Sequence, residues 1–177
     1  MKIITRCAVA VLIVLATALL DVHASQSVPS LLWTKTYNSG GQDLLSGLAL
    51  DVYGNSFAVG TSIVGSPRLV LVMKWDTAGN LIWSKTFDAG HGNNWGKGVA
   101  ADAAGNAYVA AYGSNGMNQD LYLVKYSASG AVVWQSSYDS GREDLASGVA
   151  IDQAGNLYLS ATSSNGTVSR KIFLRCM

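Results

Sequence analysis

The sequence predicts an all-β chain of β-propeller-type repeats, three four-stranded blades of about 50 residues each. Three observations carry this. Trp33, Trp83 and Trp134 stand 50 and 51 residues apart, and Asp51, Asp102 and Asp152 stand 51 and 50 apart. Each aspartate opens the same turn: Asp51-Val-Tyr-Gly54-Asn55, Asp102-Ala-Ala-Gly105-Asn106 and Asp152-Gln-Ala-Gly155-Asn156. Lys74, Lys125 and Arg175 also fall 51 and 50 apart. A period shared by aromatic, turn and charged positions marks a repeat protein.

The turn has a mechanism. An aspartate side chain accepts hydrogen bonds from backbone N–H groups two residues on, and glycine takes φ > 0 without steric cost. A type I turn closed by a left-handed glycine joins two antiparallel strands. Strands are expected at Gly98–Ala101 and Ala107–Tyr112, on either side of the second copy. Another turn, Asp76-Thr-Ala-Gly79-Asn80, joins Leu69–Trp75 to Leu81–Phe87, and Ser127-Ala-Ser-Gly130-Ala131 is its counterpart. Two hairpins per repeat make four strands. Leu69–Met73 is a continuous apolar run, the pattern of a strand covered on both faces.

Taken in order, residues 1–24 read as a secretory signal. Lys2 and Arg6 give a positive start, Cys7–Leu20 an apolar core of 14 residues, and Val22-His23-Ala24 a cleavage site before Ser25. The core is short for a membrane span, so the mature chain is expected free of the membrane: secreted, periplasmic or at the cell surface. Cleavage leaves ten basic and ten acidic residues, with no basic patch to draw nucleic acid or anionic lipid. One cysteine, Cys176, and one histidine, His91, remain. They exclude an intrachain disulfide and a zinc site built from histidine and cysteine.

Residues 25–177 form the repeat region. Leu31–Asn38 (LLWTKTYN) matches Leu81–Asp88 (LIWSKTFD) and Val132–Asp139 (VVWQSSYD), the strand that closes each repeat. The first of these has no hairpin partner before it. The third repeat has the opposite defect: Gly148–Asp152, Leu157–Thr162 and Lys171–Cys176 are followed by no fourth strand. Leu31–Asn38 is therefore expected to complete the last blade, or else the propeller is incomplete.

The repeat core, Ile/Val-Ala-x-Asp-x-x-Gly-Asn-x-Tyr-Val followed by a Lys-Tyr/Trp-x-x-x-Gly strand and a Trp-Ser-Lys-Thr-Phe strand, resembles the bacterial SBBP β-propeller repeats. Val99–Val109 with Lys125–Trp134, and Val149–Leu159, carry the resemblance, and Leu48–Val59 is a looser copy. It extends over 31–177. It implies a secreted or cell-surface protein. Three blades are fewer than the four to eight of a closed ring.

Several patterns invite chemistry. The Asp-x-x-Gly-Asn turns offer one Asp and one Asn each, short of the six to eight oxygens of a calcium site, and read as hairpin turns. Asp139, Glu143 and Asp144 share one loop, near in the repeat to His91. Paired carboxylates there would suit glycoside hydrolysis; a solvated acidic loop is the commoner arrangement. The periodic tryptophans read as packing between blades. Trp95 breaks the repeat, standing where Leu45 and Ala146 stand, and is the best single candidate for a ligand contact. Asp76, Gly79 and Trp83 are similar to the tryptophan-docking motif of quinoprotein dehydrogenases, one residue shorter. No serine sits in a nucleophile elbow and no glycine loop suits a phosphate.

The expected function is a secreted, non-enzymatic repeat module that binds protein or glycan, with no cofactor and no metal. The alternatives are a quinoprotein-like oxidoreductase or hydrolase, and a fragment of a longer propeller protein. Two end blades with uncovered apolar faces predict a homodimer closing a six-blade ring.

Overall fold

The computed structural model describes residues 31–164, and 170–176 as backbone. The signal assigned to residues 1–24 lies outside the described residues. Eleven strands run in chain order: β1 (Gln42–Leu50), β2 (Ser56–Ile63), β3 (Arg68–Trp75), β4 (Leu81–Phe87), β5 (Asn94–Ala101), β6 (Ala107–Ser114), β7 (Gln119–Tyr126), β8 (Val132–Tyr138), β9 (Asp144–Ile151), β10 (Leu157–Ser164) and β11 (Arg170–Cys176). They form three antiparallel meanders, β1-β2-β3-β4, β5-β6-β7-β8 and β9-β10-β11. No helix occurs among the described residues.

The turns form as their chemistry requires. In the second copy, Asp102 Oδ1 accepts from the Ala104 and Asn106 backbone N–H groups at 3.0 and 2.9 Å, and Asn106 Nδ2 donates to Asp102 Oδ2 at 2.8 Å. Asp51 and Asp76 repeat all three bonds. The Gly105 N–H closes the turn on Asp102 O at 3.0 Å, with φ at +77°. Ser127 substitutes for aspartate in the weaker copy, its Oγ accepting from the Ala131 N–H.

The sheets stack face to face. Phe57, Val59, Val70, Val72 and Trp83 of the first sheet meet Val99, Val109, Val124 and Tyr126 of the second. The opposite face of the second, with Tyr108, Ala110, Leu121 and Leu123, meets Ala146, Leu157, Leu159 and Ala161 of the third. Trp83 is one of the packing tryptophans that the period predicts. Its ring lies over the Gly130 turn of the second sheet, and its Nε1 donates to Ala128 O at 3.1 Å.

Buried Lys74 ties the same two sheets together. Its Nζ lies 3.8 Å from Asp51 Oδ2 and donates to Gly105 O at 3.2 Å. Lys125 lies 3.9 Å from Asp102 in the second sheet. The third sheet departs from the sequence alignment. Arg175 pairs with Leu159, whereas Lys74 pairs with Phe57 and Lys125 with Tyr108, so the residue in the lysine register is Cys176, opposite Tyr158. The cause is length: five residues separate β10 from β11, against four between β6 and β7.

Each sheet's first strand carries a β-bulge at the same place, at Ser46, Lys97 and Ser147. The glycines that follow let these strands approach backbone to backbone. A Cβ on Gly98 would stand 2.8 Å from Gly148 Cα, and one on Gly47 3.3 Å from Gly98 Cα. Bulges bend and twist a strand, and the repetition of this one sets each sheet alike against the next.

Among the described residues the third sheet has three strands where the sequence predicts a four-stranded blade, and β11 pairs with β10 alone. Residues 31–39 form no strand. Trp33 instead donates from Nε1 to Thr77 O at 3.0 Å, and its ring lies over Gly79, with Lys35 alongside. Trp83 and Lys85 sit in this same way on Gly130. The segment thus takes the seat on the first sheet that β4 takes on the second, because that seat offers the glycine floor and carbonyl that the tryptophan needs.

Candidate functional site

Three equivalent loops lead into β1, β5 and β9, and they share a skeleton. The first residue's side chain accepts from a glycine N–H two residues on: Asn38 from Gly40, Asp88 from Gly90, Asp139 from Gly141. The last residue's side chain accepts from the N–H of the loop's second residue: Asp43 from Ser39, Asn94 from Ala89, Asp144 from Ser140.

The loops differ in how the last side chain is completed. Asp43 also accepts from Ser39 Oγ, so both its oxygens are bonded. Asn94 turns its amide to Asp88 Oδ1 and Arg68 O, so it too is complete. Asp144 has no amide to offer, and Ser140 gives it a bond from its backbone N–H alone, its Oγ accepting from Ser163 Oγ at 3.3 Å. Asp144 is fully buried, and its Oδ1 has no hydrogen-bond partner.

Asp120, at the start of β7, joins it there. Asp120 is 4% exposed; its Oδ2 accepts from Asn115, while its Oδ1 is buried and unbonded. Carboxylate oxygens of Asp120, Asp139 and Asp144 lie within 4.8 Å of one another. Burial pushes the Asp120 carboxyl above its ordinary range, and the charges of Asp139 and Asp144 push it further, against the Asn115 bond. The turn aspartates move the other way. Asp76 and Asp152 are held low by Asn80 and Asn156; in Asp102 burial acts upward but the bonds from Asn106, Tyr108 and Ala104 outweigh it.

Among the candidates from sequence, the structure brings Asp139 and Asp144 together and leaves Glu143 outside the cluster. Glu143 is exposed beside Leu145, Thr162 and Ser164. His91 lies elsewhere, over the Gly116 loop. Trp95 is half-buried and stacked, with the Arg68 guanidinium 4.7 Å from its ring centre and Tyr112 at 6.4 Å. Its ladder position is that of Leu44 and Leu145, not of Leu45 and Ala146, because the strand-opening residues Asp43, Asn94 and Asp144 fix the register. Asp120 is absent from the candidates. Its signal lay in the register: Leu69 and Lys171 occupy the same ladder position in the other sheets.

A second feature is the uncovered face of the first sheet. Leu44, Leu48, Leu50, Leu71 and Met73 line a cleft of about 530 Å³, flanked by Trp33 and Tyr37. Its counterpart on the second sheet is the face that the first sheet covers. Leu48 is 65% exposed where the equivalent Val99 is 6% exposed.

No protein-family model matches this chain, and no curated protein matches it. Among solved structures it is similar to a crystal structure of a protein of unknown function from Bacteroides caccae. The identity is 13% and the TM-score 0.50, over 82% of this chain and 48% of that one. The chain thus spans about half the length of that neighbour, and the likeness is one of fold.

Proposed function

We propose that this chain is a secreted, non-enzymatic β-propeller-type repeat module of the SBBP kind, that it binds protein, and that its partner is a second copy of itself. The uncovered face of the first sheet carries this reading. Leu45, Leu48 and Leu50 are 68%, 65% and 64% exposed there. Covering each would contribute about 1–2 kcal/mol before association costs. The cleft floor is aliphatic, which suits packing against a sheet face.

Two features support a copy of this chain as the occupant. The first sheet already shows how one sheet covers the next, through apolar alternation and the glycine approach. Among the described residues β11 pairs with β10 alone, and residues 33–37, the counterpart of β4 and β8, lie in no ladder. A second copy supplies each with the other, as a twofold, self-complementary pair of contacts. This pairing gives six blades, within the usual range for a closed ring.

Light scattering on exported protein at micromolar concentration tests it. A dimer is expected, with Ser25 as the first residue by intact mass. Leu48→Asp should give monomers with unchanged β-sheet circular dichroism. A wild-type chain that stays monomeric and well folded refutes the dimer.

A further inference from the structure

We propose that Asp120, Asp139 and Asp144 form a divalent-cation site that fastens the third sheet to the second. The argument starts from the three equivalent loops. In the first, Asp43 is completed by a serine hydroxyl; in the second, Asn94 completes itself by donating. The third places Asp144 where Asn94 stood, and Asp120 where Leu69 stood. Two acids thus replace an amide and a leucine, and neither Oδ1 meets a donor.

The outcome is two buried oxygens, Asp120 Oδ1 and Asp144 Oδ1, without a hydrogen-bond partner. Native proteins rarely bury an acceptor this way unless something else meets it. Among the described residues the ion pairs are Lys74–Asp51 and Lys125–Asp102, and neither reaches this loop. Among the described side chains, what remains to neutralise three gathered carboxylates is a shared proton or a metal ion.

The donor set is all oxygen, which selects hard cations of the calcium, magnesium and manganese class. The spacing fits. Calcium–oxygen bonds of about 2.4 Å place opposite ligands about 4.8 Å apart and adjacent ones about 3.4 Å apart, and one carboxylate oxygen from each of the three residues lies within 4.8 Å of the other two. Asp144 and Asp120 are each anchored through Oδ2, by Ser140 N–H and Asn115 Nδ2, which leaves Oδ1 for the ion. Asp139 is exposed and gives the ion a way in. Asp120 and Asp139 flank the β7–β8 hairpin of the second sheet, and Asp144 opens β9 of the third. An ion held by all three is a cross-link between sheets. Three carboxylates leave coordination positions for water, so the affinity expected is that of extracellular modules, about 0.1–1 mM.

The test takes the mature chain, stripped with a chelator, through thermal unfolding and titration calorimetry with calcium, magnesium or manganese chloride. Each variant borrows the residue that the chain itself carries at the equivalent place: Asp144→Asn from Asn94, Asp139→Asn from Asn38, and Asp120→Leu from Leu69. Wild type should release or absorb heat with at least one cation and unfold at higher temperature in its presence. Asp144→Asn and Asp120→Leu should weaken binding at least tenfold and lose the thermal shift. Without metal, Asp144→Asn should unfold above the stripped wild type, since asparagine brings its own donor. The proposal is overturned if millimolar amounts of all three cations leave wild type unchanged, which is the result a shared proton gives. It is equally overturned if the variants keep the full response, which places the ion elsewhere.

Discussion

Gly98→Ala is the sharpest probe of how the sheets are joined. The new Cβ would stand 2.8 Å from Gly148 Cα, 2.9 Å from Val149 N and 3.2 Å from Gly148 C. Carbon atoms rest at about 3.5–4.0 Å, so the third sheet must retreat by roughly 0.7 Å or more, and no side chain can rotate away to spare it. Overpacking of this kind costs about 1–3 kcal/mol. The lost freedom of the unfolded chain returns about 0.4–1 kcal/mol. The net expectation is a loss of about 1.3 kcal/mol, a fall of about 0.6 M in the urea midpoint at a slope of about 2 kcal/mol/M. Gly148→Ala is the control. Its Cβ meets only Ser160 Oγ, at 3.3 Å, so the midpoint should hold or rise slightly. Tryptophan fluorescence during urea unfolding reads both, at a concentration too low for copies to associate. If Gly98→Ala leaves the midpoint unmoved, or Gly148→Ala lowers it equally, the backbone approach of β5 to β9 is wrong.

Lys74→Met should destabilise by about 3–5 kcal/mol, because it leaves the Asp51 side chain, wholly buried beside it, without its cation; chemical unfolding measures this, and a loss under 1 kcal/mol would mean that the turn bonds alone hold Asp51. Acid should also weaken the fold. The carboxyls of Asp76, Asp102 and Asp152 are lowered in the folded state, so their contribution is present above the ordinary aspartate pKa of about 4 and disappears as pH falls through the lowered values. A melting temperature that stays level from pH 6 down to pH 2 would contradict this.

The sequence by itself determines what is local. An aspartate, a glycine and an asparagine within five residues contain the whole turn: donors, acceptors and the left-handed residue are neighbours in the chain. That is why Gly105 and its counterparts at positive φ, and the strands beside them, are legible from spacing alone. The packing role of Trp83 is legible too, since Trp33, one period before it, meets the same glycine turn and carbonyl.

What depends on which sheets touch is decided only in three dimensions. Asp120 lies 24 residues before Asp144, and only the stacking of the second sheet on the third brings their carboxylates into one buried group. Cys176 rather than Arg175 takes the lysine register because one added loop residue shifts the whole ladder, a change that a spacing count absorbs unnoticed. Leu31–Asn38 reads as a strand by its pattern, yet a strand needs a neighbour's edge to bond, while a tryptophan seat needs only a glycine and a carbonyl. The first sheet offers that seat, and the segment takes it.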